Sequence, residues 1–295
     1  MLSFNNMRNN AFLIVDKDED MTSTHVDNLI KRKLKADKIG HLGTLDPFAS
    51  GLLLLGINDA CKLFPLIEEE KKTYVAKAVL GKKTDTLDRT GKVIFEEKIK
   101  PLSEEKISSV FSSFIGRSKQ TPPKFSACHV DGKRAYQLAR DNVDFKLKEK
   151  DIDVYKLTCL SFDESSITFK ATVSKGCYIR VLAEDILAKL DNICYLKSLR
   201  REKIGDISLK NSVKVDDTLE KIFSSMISID DMFPFIRCLE LQDDKVEKKV
   251  MNGNPLKREE INVDTQYIFF KKDGLIISLY QKKDALYHPF CKLNY

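Results

Sequence analysis

His41-Leu42-Gly43-Thr44-Leu45-Asp46-Pro47-Phe48-Ala49-Ser50-Gly51 is the stretch on which the reading of this chain turns. Proline at 47 drives Asp46 out of the helical region toward extended dihedrals, and Gly43 and Gly51 give the backbone freedom to enter and leave a turn. A carboxylate held that way projects from irregular backbone and can face a cleft. The same residues also fit ordinary turn chemistry, so the weight rests on what surrounds them.

Outward from this loop, Leu52–Leu55 reads as a strand on one side. On the other, Val26, Leu29, Ile30 and Leu34 repeat at helical spacing behind Ser23 or Thr24 as cap, and Ala11–Val15 is a short apolar strand. Residues 73–80 alternate, with Tyr74, Ala76, Ala78 and Leu80 on one face. A helix is predicted over 103–115, capped by Ser103 and ended by Gly116. Residues 118–150 are polar and lysine-rich, carry Pro122-Pro123 and one short helical patch around Tyr136 and Leu138, and suit an insertion lying over the surface. Ile167, Phe169, Ala171 and Val173 alternate as a strand, and Ile179 to Leu190 form an amphipathic helix with Arg180 at the junction. Beyond 232 a small helix near Lys245–Val250 precedes two strand patterns about an Asp273-Gly274 turn, a β-rich appendage.

Composition bounds the function. With 295 residues and 42% hydrophobic content the chain has room for one large domain and a small one. Its net charge of +6 permits a nucleic-acid partner, and Lys31-Arg32-Lys33, Lys82-Lys83, Lys133-Arg134 and Lys197 with Arg200-Arg201 are candidate phosphate contacts, although acidic runs such as Glu68-Glu69-Glu70 interrupt the pattern. Seven scattered cysteines without a C-x-x-C pair argue against a disulfide framework, and the four histidines lack metal-ligand spacing, so neither a metal nor a cofactor is expected. Residues 1–10 lack an apolar signal core and no stretch approaches a membrane span, which points to the cytoplasm.

The eleven-residue stretch resembles the G-H-x-G-T-L-D-P-x-A-x-G signature of the TruB-type tRNA pseudouridine synthases. Gly56 with Ala60-Cys61-Lys62, Lys71-Lys72-Thr73-Tyr74, Thr84-Asp85-Thr86 with Asp88 and Gly91, Pro122-Pro123 with Ser126-Ala127, and Ser174-Lys175-Gly176-Cys177-Tyr178-Ile179-Arg180 recur in that family's order, so the resemblance covers most of residues 11–205. It implies an α/β (α+β) fold with a central mixed, largely antiparallel sheet flanked by helices. It also implies a catalytic domain over 1–232 with an RNA-gripping thumb at about 118–150, and a small PUA-like domain over 233–295. The implied reaction is conversion of uridine-55 in the T-loop of tRNA to pseudouridine, with tRNA as partner, acting as a monomer.

That reaction breaks the bond from ribose C1′ to N1, turns the uracil and rejoins it through C5. The base must leave its stack at a cost of a few kcal/mol, and a nucleophile must meet the sugar carbon. By resemblance Asp46 is that nucleophile. Desolvation alone would favour its neutral acid, so it needs a cation, and Arg180 is the candidate, since a neighbouring guanidinium lowers a carboxylate pKa by about 1 to 3 units. Tyr74 offers a face on which the uracil stacks, worth about 1 to 3 kcal/mol. By resemblance Tyr74 is also catalytic, its phenol the base that removes a sugar proton, although a phenol near ~10 is a weak base unless the site activates it. His41, Tyr178 and Leu199 match the family's substrate-binding positions. Asp85 is a turn carboxylate that could reach Arg180 and stands outside the catalytic set.

Two departures qualify the match. Asp16-Lys17-Asp18-Glu19-Asp20-Met21-Thr22-Ser23 stands where the family pattern is Asp-Lys-Pro-x-Gly-x-Thr-Ser, which predicts a looser, more acidic loop near RNA phosphates, and His129 occupies a usual lysine position in the thumb. The alternatives are a tRNA-binding or tRNA-folding protein without turnover, and a guide-RNA-dependent synthase; the compact tail argues for the stand-alone kind.

Overall fold

The computed structural model describes residues 10–67, 69–126, 128–130, 132–141 and 143–294. Residues 1–9, Glu68 and Ala127, read above, lie outside these. Strands β1 (Ala11–Lys17), β2 (Ile39–Leu42), β3 (Ser50–Ile57), β4 (Lys72–Leu80), β5 (Gly116–Gln120), β6 (Lys150–Phe162), β7 (Ser166–Val173), β8 (Cys194–Ile204) and β9 (Ile207–Ser208) build one sheet. Its order is β1-β3-β8-β4-β7-β6-β5, with β2 beside β3 and β9 beside β8. The β3–β8 pair is parallel and every other pairing is antiparallel, the mixed, largely antiparallel sheet that was expected.

Helices α1 (Ser23–Leu34), α2 (Glu104–Ser113) and α3 (Ile179–Lys189) flank the sheet. Two apolar faces result: Ala76, Ala78, Ile167, Phe169 and Leu196 pack with Phe111, Leu182 and Ile186, whereas Leu13, Val15, Leu53 and Leu55 pack with Val26 and Ile30. The tail contributes β10 (Arg237–Glu240), helix α4 (Asp244–Met251), β11 (Leu256–Lys257), β12 (Tyr267–Lys272), β13 (Leu275–Lys283) and β14 (Leu286–Lys292), in sheet order β10-β12-β13-β14-β11. Phe269, Ile276 and Leu279 of this sheet, with Leu293 just beyond it, share an apolar cluster with Phe12, Leu52 and Leu54. Asp273 and Gly274 both take positive φ, 52° and 75°, as a tight hairpin turn requires. No helix among the described residues is long and apolar enough to cross a membrane.

Three local expectations change. The cap of α1 is Thr22, whose side chain accepts from His25 N; Ser23 is instead buried, and its hydroxyl bridges the backbone of Leu45. The insertion begins after Gln120, because 116–120 pairs along β6 as the sheet's edge. The third difference is β6 itself: just past the insertion, Ile152 and Val154 are buried in one cluster with α3 and α2 residues, and this long strand is barely visible as an alternation in the sequence.

Candidate active site

Asp46 lies in irregular backbone between β2 and β3, and the Ala49 amide donates to its carbonyl at 3.0 Å. Two buried neighbours fix this loop: Leu45, 3% exposed, and Phe48, 1% exposed, both join the apolar cluster that contains Tyr74 and Leu199. At the loop's end Gly51 has φ of 101°, and a Cβ there would sit 2.3 Å from the Arg201 carbonyl oxygen, so only glycine lets β3 approach β8 in parallel. Asp46 is thus held by packing on both sides of it, and its carboxylate keeps 34% side-chain exposure toward the cleft.

Arg180, in the first turn of α3, reaches that carboxylate from 134 residues away. Its Nη2 donates to Asp46 Oδ1 at 3.1 Å, and Nε lies 2.9 Å from Oδ2 without the alignment of a hydrogen bond. The guanidinium is 3% exposed and also donates to the Thr86 and Phe125 carbonyls, at 2.8 and 3.0 Å. Its Nη1 is 3.5 Å from Asp88 Oδ2. Asp88, 4% exposed, accepts from Thr86 Oγ1, Thr90 N and Thr90 Oγ1.

The expected pairing is present, yet the net effect on Asp46 differs from the expectation. Burial holds its carboxyl above the usual range; Arg180 and then Lys17 pull it down, while the Asp88 charge adds to the rise. Burial is the largest influence and outweighs the guanidinium, which also faces Asp88, so the pairing alone does not lower the acid. Asp85 plays no part, since its Oδ1 accepts from Lys92 N at 2.8 Å.

A cavity of about 290 Å³ opens at this pair, and Asp46, Tyr74, Tyr178, Arg180 and Leu199 all line it. Burial raises the Tyr74 phenol above its ordinary value, with the Arg201 charge opposing, so the ring is a neutral face rather than an activated base. Tyr178 ends the segment before α3; Gln120 Oε1 accepts from its amide at 2.8 Å, and its hydroxyl is 3.1 Å from Cys128 Sγ. His41 is the predicted residue that the structure does not bring to the cavity wall: its ring lies between Asp27 and Thr44.

Three cations join the site that sequence reasoning did not place there, Arg201 having been read only as a candidate phosphate contact. Arg201, 1% exposed, lines the cavity beside Tyr74 and donates to the Leu52 and Gly43 carbonyls at 2.8 and 2.9 Å. Lys72 lines the same cavity. Lys17 is fully buried, and its ammonium donates to the carbonyls of Asp18, Met21 and Pro47 at 3.0, 2.7 and 3.2 Å. Burial depresses Lys17 to about 8, against the attraction of Asp46. A buried strand-end lysine carries no periodic signature; only its position 29 residues ahead of Asp46 in the signature order set it apart.

The altered loop is tied down rather than loose. Glu19 and Asp20 pair with Arg89 at 3.2 and 2.6 Å, and Asp18 pairs with Lys214 at 2.5 Å. Asp20, standing where the family pattern has glycine, keeps the left-handed turn with φ of 63°.

The family model for TruB family pseudouridylate synthase (N terminal domain) matches residues 31–179, which spans the Asp46 loop, Tyr74 and the segment leading to Arg180. A protein of Mycoplasma mobile named tRNA pseudouridine synthase B is 38% identical over 90% of this chain and 88% of its own. One of Rickettsia bellii with the same name is 36% identical over 97% and 99%. The chain belongs to the TruB family of pseudouridylate synthases. Solved structures agree on the TruB-type fold: a Cbf5-Nop10-Gar1 complex matches at 20% identity with a TM-score of 0.68 over 97% of this chain and 86% of that one. An H/ACA ribonucleoprotein bound to a substrate RNA containing 2′-deoxyuridine matches at 18% identity with a TM-score of 0.69, over 97% and 85%.

Proposed function

We propose that this TruB-family enzyme isomerises uridine-55 of the tRNA T-loop to pseudouridine, without a guide RNA. The observation that carries the reading is a single carboxylate, Asp46, set by buried neighbours at a cavity of about 290 Å³, with a buried guanidinium against it and an aromatic face beside it. In this reading the target nucleotide leaves its stack and its uracil rests on Tyr74, which offsets part of the eversion cost. Asp46 attacks C1′ as the N1–C1′ bond breaks, Arg180 steadies the charge it carries, the freed uracil turns, C5 bonds to C1′ as the Asp46–C1′ bond breaks, and the C5 proton passes to solvent while N1 takes up a proton. Tyr178 and Leu199 close the walls, and His41 acts at one remove through Thr44.

The isomerisation moves no electrons to or from an external carrier, so the reading requires no cofactor and no metal. It places the protein in the cytoplasm as a monomer on the tRNA T-arm. The catalytic domain runs over 1–232, with its thumb in the insertion up to 150, and a PUA-like domain over 233–295. High identity to relatives named tRNA pseudouridine synthase B over nearly their full length supports turnover on tRNA over mere binding.

The test is incubation of the purified protein with an unmodified tRNA transcript and no other RNA, followed by mapping of pseudouridine. One pseudouridine per tRNA at T-loop position 55 is expected. Absence of product, or product only after a guide RNA is added, would overturn the proposal.

A further inference from the structure

Asp27 is an acid on the inner face of α1, 9% exposed, at a helix position where an apolar residue would pack. Its Oδ2 lies 2.7 Å from His41 Nδ1, and its Oδ1 has no hydrogen-bond partner among the described residues. Burying a half-satisfied carboxylate is costly, so the contact that remains is the one to explain. On the far side of the ring, His41 Nε2 lies 3.2 Å from Thr44 Oγ1. Thr44 is exposed, lines the cavity, and stands two residues before Asp46.

Acid, imidazole and hydroxyl therefore form one line from the α1 core to the cavity. The order is that of a nucleophilic triad, but the reaction already has its nucleophile in Asp46. What the line fixes is proton placement. An ionised Asp27 only accepts, so Nδ1 carries the imidazole proton. In the neutral ring Nε2 is then a bare acceptor, Thr44 must donate its hydroxyl proton to it, and the lone pairs of Oγ1 are left for the cavity.

We infer that Asp27, acting through His41, fixes Thr44 as a hydrogen-bond acceptor in the cavity wall, where it receives a donor of the target nucleotide. This rests on the function proposed above. Two groups on the nucleotide have that chemistry: uracil N3–H, which cytosine lacks, and the ribose 2′-hydroxyl. Thr44 is in this view a specificity-determining residue and Asp27 a positioning residue.

The experiment measures KM and kcat on an unmodified tRNA transcript for Thr44→Val, Thr44→Ser, Asp27→Leu and the Thr44→Val/Asp27→Leu pair. One net hydrogen bond corresponds to about three- to tenfold in KM. Thr44→Val and Asp27→Leu should each raise KM by that factor with kcat held within about twofold, and Thr44→Ser should retain the wild-type KM. The pair should be no worse than Thr44→Val alone, because both changes act on one bond. A transcript with 2′-deoxyuridine at the target assigns the donor: if the deoxy penalty vanishes in Thr44→Val the donor is the ribose hydroxyl, and if it persists the donor is N3–H. Unchanged KM in Thr44→Val, or additive losses in the pair, would overturn the inference. The nitrogen-15 shifts of His41 test the relay even if no turnover is found, a result that would count against the proposed function instead. Protonated Nδ1 with bare Nε2 in the wild type, lost in Asp27→Leu, supports the relay, and protonated Nε2 in the wild type contradicts it.

Discussion

Arg180 is wedged between two carboxylates of unequal exposure: Asp46, whose side chain is 34% exposed to the cleft, and Asp88, at 5%. One guanidinium faces both acids, while the Thr86 and Phe125 carbonyls hold its plane. Stability and chemistry are joined in this one side chain.

Replacing Arg180 should separate the two. Arg180→Met leaves Asp88 buried without its cation and should cost about 3 to 5 kcal/mol in urea unfolding. Arg180→Lys restores a charge, and so part of that loss, but one ammonium cannot serve both carbonyls and both acids. Single-turnover rates for both variants should fall about 10²- to 10³-fold.

The direction of the Asp46 shift gives a pH dependence. Its carboxyl is held above the ordinary value by burial, and in the proposed mechanism only the ionised form attacks. The acid limb of the rate profile should therefore lie above the ~4 of a free aspartate. The Asp88 charge raises Asp46 further, so Asp88→Asn should move that limb to lower pH. A limb that stays in place or moves upward in Asp88→Asn would show that Asp88 does not act on Asp46.

Burial raises the Tyr74 phenol above its ordinary value, and the proposed function assigns the ring to binding. Tyr74→Phe should hold KM within about twofold. Tyr74→Ala should raise it by the stacking contribution, about 1 to 3 kcal/mol, or roughly five- to 150-fold. The drop in kcat for Tyr74→Phe, measured in the same assay, isolates what the hydroxyl adds to the chemistry.

How far the sequence carries the reader depends on the kind of signal each residue leaves. The Asp46 loop is legible because proline and two glycines constrain local backbone, and Tyr74, Ala76 and Ala78 are legible because alternation reports a sheet face. Ser103 caps its helix as expected, its hydroxyl accepting from Lys106 N, for the same local reason. Lys17, Asp88 and Arg201 were not legible: each is a buried charge whose partners come from distant segments, and no periodicity encodes a tertiary pair. The parallel junction of β3 with β8 was equally hidden, since a strand's sequence states its burial and not its neighbour. His41 shows the opposite case, a residue that its motif singles out but whose side chain faces Asp27 rather than the cavity.

Lys17 leaves a mark on stability. Its folded value of about 8 lies below the ordinary 10.5, so between these values the unfolded chain binds more protons, and unfolding free energy rises with pH. The cost of burying the ammonium is in full force below pH 8 and fades as pH climbs toward 10.5. The urea midpoint of the wild type minus that of Lys17→Met should increase from pH 7.5 to 9.5; a flat or falling difference would mean Lys17 titrates normally.

Asp46 itself is the centre of the account, and Asp46→Asn preserves its shape while removing its nucleophilic charge. The decisive measurement is release of tritium from C5-labelled uridine in a tRNA transcript under single-turnover conditions, paired with the dissociation constant for the same RNA. The account predicts that Asp46→Asn binds the transcript within about tenfold of the wild type and releases no tritium above background. Release at a rate near that of the wild type would contradict it.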